Sequence, residues 1–144
     1  MNRKKDLTRY EQGQGLVEFA FVATLILVLF VGMVDLGRAL FTYMALRDAA
    51  QEGATYGSIY PGEDASIESR TRDTSKRPVD LTNSDIVDVQ IRLLGPACAG
   101  NAIEVEVIYP EFPLTTPLLA SILGNDTIPI RAKVIDTILT PPCQ

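Results

Sequence analysis

A chain of 144 residues with 13 basic and 18 acidic side chains, a net charge of -5 and neither His nor Trp restricts the chemistry open to it. The acidic balance, with no Lys or Arg run interleaved with aromatics, argues against a nucleic-acid surface. Without His, and with its two Cys far apart at Cys98 and Cys143, the usual zinc constellations and the Ser-His or Cys-His nucleophile pairs cannot be assembled, so no catalytic residue, cofactor or metal site is expected.

Residues 1–13, Met-Asn-Arg-Lys-Lys-Asp-Leu-Thr-Arg-Tyr-Glu-Gln-Gly, are polar and basic and show no apolar periodicity. An ordinary secretory signal fits badly, because the apolar run that follows is longer than such signals carry and no small-residue cleavage site closes it. Leu16 to Val34 is a run of nineteen residues in which Glu18 is the only ionisable side chain. At about 1.5 Å of rise per residue it reaches about 28 Å, close to the ~30 Å hydrocarbon core of a bilayer. A buried helix of a soluble protein normally keeps a polar stripe, whereas this one is apolar all round, so the expectation is a membrane span. Arg3, Lys4, Lys5 and Arg9 precede it against Asp6 and Glu11; Arg38 and Arg47 follow it against Asp35, Asp48 and Glu52. The positive-inside bias then keeps the N-terminus cytoplasmic and exports everything after Val34. In that compartment Cys98 and Cys143 can oxidise to a disulfide, the alternative being two unpaired buried thiols.

A carboxylate near the end of a span is costly when it faces lipid. In the first helical turn Glu18 can snorkel to the headgroups and meet the helix N-terminus, worth about 0.3–1 kcal/mol. A cut after Gly13 would make Gln14 residue one and Glu18 residue five of the new chain, and would create an ammonium group about one helical turn away, in the same or a neighbouring subunit.

The order Gly13-Gln14-Gly15-Leu16-Val17-Glu18-Phe19-Ala20, the apolar run, Asp35-Leu36-Gly37-Arg38-Ala39 and then Ala49-Ala50-Gln51-Glu52-Gly53-Ala54 resembles TadE-like proteins of the tight-adherence (Flp) type IV pilus system. The similarity covers roughly residues 10 to 57, with a weaker echo from Ile103 to Pro110 and beyond. It implies that Gly13 and Glu18 form a prepilin-peptidase signature, with cleavage between Gly13 and Gln14. Gln14 stands where many pilins have Phe, and Gly15 offers a second bond that would leave Glu18 at the third position. The implied partners are a prepilin peptidase, other pilin-like subunits, inner-membrane pilus assembly components and the lipid bilayer. The implied place is the inner (cytoplasmic) membrane, crossed once.

Beyond Val34 the helical pattern continues without Pro to about Gly57. Leu36, Leu40, Tyr43 and Leu46 share a face with Ala50, Gly53 and Gly57, and the small residues at its distal end predict close packing of a sheet there. Arg38, Asp48 and Glu52 fall on the opposite face, where Asp35 and Arg38 are spaced to pair, worth a few tenths of a kcal/mol if exposed. With the span this predicts a helix of about forty residues, about 60 Å long, ended by Pro61-Gly62.

In the remaining residues, Glu63 onward reads as a surface helix and then a loop closed by Pro78. From Asp85, Ile86, Val87, Val89, Ile91 and Leu93 alternate with Asp88, Gln90 and Arg92, the pattern of a half-buried strand. Gly95-Pro96 turns the chain into Ala102 to Tyr109, where Ile103, Val105 and Val107 face one way and Glu104 and Glu106 the other. These two acids read as a solvent face, because no nucleophile or His accompanies them. Asp80, Asp85 and Asp88 lack the Gly and closing Glu of a calcium loop. Pro110 to Pro117 is Pro-rich, and the uncharged segment Leu114 to Leu123 is either tucked under the sheet or exposed as a contact surface. A third strand follows from Thr127 to Leu139, with Pro129 placing its start at a sheet edge.

The fold expected is α+β: a leader (1–13), a transmembrane helix (14–34), its extracytoplasmic continuation (35–60) and a small antiparallel sheet domain (61–144), resembling the pilin plan. The function expected is structural, that of a minor pilin or pseudopilin-like subunit processed by a prepilin peptidase. The alternative is an uncleaved, membrane-anchored binding module.

Overall fold

The first Pro of the chain is Pro61, and the residues before it form one uninterrupted helix, α1 (Arg3–Ile59), of 57 residues. The computed structural model describes residues 3–74, 76–116, 120–121 and 124–143, with side chains from residue 13 onward. The helix is longer than the forty residues expected because it runs back through the polar leader. Lys, Arg, Gln and Glu are good helix formers, and a helix already nucleated by the apolar run propagates through them.

Four shorter elements follow: α2 (Asp64–Asp73), β1 (Asp88–Leu94), β2 (Ala102–Pro113) and β3 (Thr127–Thr137). The strands form one antiparallel sheet in the order β1-β2-β3. Its inner face carries Ile103, Val105 and Val107, all fully buried against Leu46, Ala49, Ala50 and Ala54 of α1 and Ile67 of α2. The approach is close enough to require glycine at two turns of α1. A Cβ on Gly53 would lie 2.1 Å from Thr71 Oγ1, and one on Gly57 would lie 2.5 Å from Ile103 Cδ1. Arg72 fixes the connection from α2 to the sheet by pairing with Glu68 at 2.7 Å and donating to the carbonyls of Leu81 and Val87 at 3.1 and 3.2 Å.

The packing stripe on α1 matches the expected one only at its distal end. Leu46, Ala50, Gly53 and Gly57 face the domain, but Leu36, Leu40 and Tyr43 are 71%, 53% and 41% exposed. Nearer the apolar run the buried positions are Asp35, Thr42 and Ala45, a stripe displaced by one residue, or about 100° of helix rotation. Bulky side chains at 36, 40 and 43 would hold the end of the sheet away from the helix, whereas the carboxylate and hydroxyl on the neighbouring stripe let it approach and bond.

Three strand details also differ. β1 starts at Asp88 rather than Asp85, because Asn83 to Val87 make a turn in which the amides of Ile86 and Val87 both donate to the carbonyl of Asn83 at 3.2 Å. The Pro-rich stretch is strand as far as Pro113: a register shift between Tyr109 and Phe112 absorbs Pro110, and buried Phe112 then pairs with Ile128. Glu104 does not face solvent. It is 7% exposed on the central strand, covered by Arg92 of β1 and Lys133 of β3, each at 3.3 Å from its carboxylate. β3 is an edge strand, where Pro129 lacks an N–H without costing a ladder bond.

At the far end of the helix, a disulfide between Cys98 and Cys143, with Cα atoms 5.0 Å apart, ties the β1–β2 loop to the C-terminal tail. The same tail is bonded to the end of α1, since the Leu139 amide donates to the Ser58 carbonyl at 2.8 Å and the Thr140 hydroxyl to the Ile59 carbonyl at 2.7 Å.

Candidate functional site

The feature that a folded domain cannot account for is the exposed half of α1. Its most apolar eighteen-residue window has no residue buried, and Phe19, Phe21 and Leu27 are 72%, 80% and 63% exposed. Leaving so many large apolar side chains in water forfeits about 25 cal/mol for each Å² of apolar surface. The polar atoms inside the run are dealt with locally: the Thr24 hydroxyl donates back to the Ala20 carbonyl at 2.8 Å. Gly13, Gln14 and Glu18 lie together on this rod, helical and exposed, and remote from the sheet. No neighbouring side chain comes within 4 Å of a Cβ built at Gly13 or Gly15, so the backbone on both sides of Gln14 is sterically open. Among the described residues Glu18 has no ionic partner. The charges of residues 1–12, from which the orientation was read, lie outside the described side chains.

The rod meets the domain at Asp35, the first residue beyond the apolar run. Its side chain is buried and collects donors from two sources. The backbone amides of Thr115 and Thr116 donate to it, at 3.1 Å and 2.8 Å from Oδ2, and so does the Thr116 hydroxyl. Arg38, one turn on, pairs with its Oδ1 at 3.2 Å and also donates to the Thr115 hydroxyl. Hydrogen bonds to the ionised form, the Thr116 hydroxyl foremost and then the Thr115 side chain and the two amides, outweigh burial and hold the Asp35 carboxyl down at about 2. The segment after β2 is thereby fastened to the helix where the rod ends. The sequence marked the spacing of Asp35 and Arg38 but not this role. The apolar stretch Leu114 to Leu123 lies partly outside the described residues; of its start, Thr115 and Thr116 are held by Asp35.

Of the three acids considered for a cation, Asp80 and Asp88 are occupied within the fold. Asp80 accepts from the Thr82 amide and hydroxyl at 3.1 and 2.6 Å, and Asp88 accepts from the Gln90 amide side chain at 2.8 Å. Among the described residues no group of three or more His, Cys, Asp or Glu is arranged to hold a metal ion. Gly13–Gln14, Glu18, Asp35 and Cys98–Cys143 fall at successive levels along α1. About 26 Å of helix separates Glu18 from Asp35, and about 36 Å separates Asp35 from Ile59, where the disulfide-bonded tail docks.

Among the described residues one helix is long and apolar enough to cross a membrane, and it continues unbroken as the spine of a small α+β domain, the arrangement of a single-pass, helix-anchored protein. Residues 13–55 match the model of the TadE family, described as TadE-like protein, so over that segment the chain is similar to that family. The match starts at Gly13 and covers the rod, the Asp35 junction and the packing glycine Gly53, while the sheet lies outside it. No curated protein and no solved structure matches the chain.

Proposed function

We propose that this protein is a minor pilin or pseudopilin-like subunit of a tight-adherence type IV pilus assembly machine, held in the inner membrane by residues 14–34 with its sheet domain on the extracytoplasmic side. The role is structural and not catalytic. The observation that carries the reading is the TadE-like match over an apolar rod that the rest of the chain leaves uncovered. Lipid is as apolar as the rod, so association between spans rests on packing and on polar pairs rather than on expulsion of water. Glu18 supplies such a pair. Removal of residues 1–13 by a prepilin peptidase would leave the amine of Gln14 one turn from this carboxylate, and in a bundle the amine of a neighbouring subunit meets it equally well.

Mass spectrometry of the chain isolated from membranes of a peptidase-bearing host tests the processing step. A new N-terminus at Gln14 is the expected result. Intact Met1 would instead favour the uncleaved anchored module, and a start at Leu16 would move the cut to Gly15. Glu18→Ala is expected to abolish incorporation into assembled material while leaving the amount of membrane-inserted subunit unchanged.

A further inference from the structure

Two fates are open to the nitrogen of Gln14 once a cut frees it, and they exclude one another. One is the pair with Glu18, one turn along α1, for which the nitrogen must be an ammonium. The other lies in Gln14 itself. A glutamine side chain sets its carboxamide carbon where the residue's own amine can reach it and close an unstrained five-membered ring, for which the nitrogen must be neutral. In the uncut chain neither is open, because that nitrogen is acylated by Gly13. The surroundings favour closure. Gln14 is exposed, and among the described residues its carboxamide makes no hydrogen bond that would hold it away from the backbone. Gly15 follows it, with nothing within 4 Å of a Cβ built there, so no side chain crowds the turn. In a helix that starts at Gln14 the first amides have no carbonyl to bond, so the new terminus is free to rotate. Gln14 also stands two residues before Leu16, about 3 Å outside the apolar run, where water reaches the amine.

We propose that Gln14 is a modification site of the processed subunit, closing to pyroglutamate in subunits that stay outside the bundle and so withdrawing them from assembly. The inference rests on the Gly13–Gln14 cut proposed above. The amine nitrogen attacks the side-chain Cδ and a C–N bond forms there. The bond from Cδ to the carboxamide nitrogen breaks, and that nitrogen leaves as ammonia with the proton given up by the amine. No oxidant, reductant or co-reactant is consumed, and proximity within one residue replaces the encounter of two molecules. The product is a neutral lactam. Between residues 14 and 34 Glu18 is then the only charged group, with no cation of its own chain's terminus left to meet it. Glu18 decides between the two fates. At the surface of a lone span its pair with the amine is exposed and weak, and the amine is neutral often enough to close. Between packed spans the same pair is shielded from water, is stronger, and keeps the nitrogen protonated and unreactive.

The test compares the full chain in two fractions of a peptidase-bearing host, the assembled material and the membrane-inserted pool. Free amines are blocked with an isotopic acetyl label before solubilisation, so that closure during handling is not counted, and the N-terminal peptide is read by mass spectrometry. In the pool this peptide is expected to start at Gln14, lighter by one ammonia and without label, in a share that grows while assembly is withheld. In assembled material it is expected to carry the label. Glu18→Gln is expected to speed closure in the pool by about 1.4- to 5-fold, the loss of one exposed ion pair. Gln14→Ala keeps the amine but has no carboxamide, so an aged pool of it is expected to be incorporated as well as a fresh one, whereas the aged wild-type pool loses incorporation in proportion to its lactam. Should Gln14→Ala be cut poorly, Gln14→Met offers a side chain of similar length that also cannot close. A labelled amine throughout the aged pool, lactam as abundant in assembled material as in the pool, or a Glu18→Gln rate equal to the wild type would each overturn the proposal while leaving the cut in place. Intact Met1, or a start at Leu16, would overturn it together with the processing reading beneath it.

Discussion

Asp35 has the densest set of polar partners on α1. It closes the apolar run, and three donor groups besides Arg38 would lose their acceptor if its carboxylate were removed: the backbone amides of Thr115 and Thr116 and the Thr116 hydroxyl. Asp35→Ala is expected to destabilise the domain by about 1–3 kcal/mol, measured by thermal unfolding in detergent, because the buried amide and hydroxyl of Thr116 are left without a partner. Its folded-state carboxyl, at about 2, lies below the ordinary value of 3.8, so the stabilisation is fully present above about pH 4 and is lost as pH falls through about 2. A pH titration of stability should therefore show an acid limb between those values that Asp35→Asn flattens. An unchanged limb in the variant would contradict the clamp. From sequence the Asp35–Arg38 spacing was visible, but the partners that bury the acid lie 80 and 81 residues away, and nothing in a local pattern points so far. The burial of Glu104 is not legible in the sequence for a related reason. Alternation placed it on the outer face correctly, but whether an outer position on a central strand is wet depends on the long side chains beside it, here Arg92 and Lys133.

Among the elements, α1 does two jobs with one pattern, and its two faces look alike in the sequence for that reason. Leu36, Leu40 and Tyr43 continue the apolar spacing of Leu46 and so imitate a core stripe, yet they are exposed, and the domain packs on the neighbouring stripe. The distal contact was legible because small residues at 50, 53 and 57 permit only close packing. Gly57→Ala is expected to destabilise by about 1–3 kcal/mol, since the new methyl would meet Ile103 and Ile67 in a filled core. Leu40→Ser, on the exposed stripe, is expected to change stability by no more than about 0.5 kcal/mol. The strands were the most readable part, because a period of two survives whatever they pack against. Their ends were less so: β2 continues through Pro110 because Phe112 finds a buried site after the register shift. The Cys98–Cys143 bond closes a loop spanning 45 residues, and its reduction is expected to remove up to about 4 kcal/mol and to loosen the tail from Ser58 and Ile59 first, as faster hydrogen exchange at the Leu139 amide.

For the whole molecule, hydropathy and alternation were enough to place a rod and a three-stranded sheet in order, because both are repeating patterns written along the chain. The way the rod and the domain are joined was not legible, since it depends on a side chain and two backbone amides that meet only in three dimensions. The account rests on lipid, and neighbouring spans within it, being the surroundings of residues 14–34. Analytical ultracentrifugation of the full chain, with the rod still attached, across the removal of detergent tests this most directly. The expected result is a defined species in detergent that pellets or aggregates when detergent is withdrawn and is recovered when lipid vesicles replace it. A monodisperse, water-soluble monomer in detergent-free buffer, its rod open to solvent, would contradict the account.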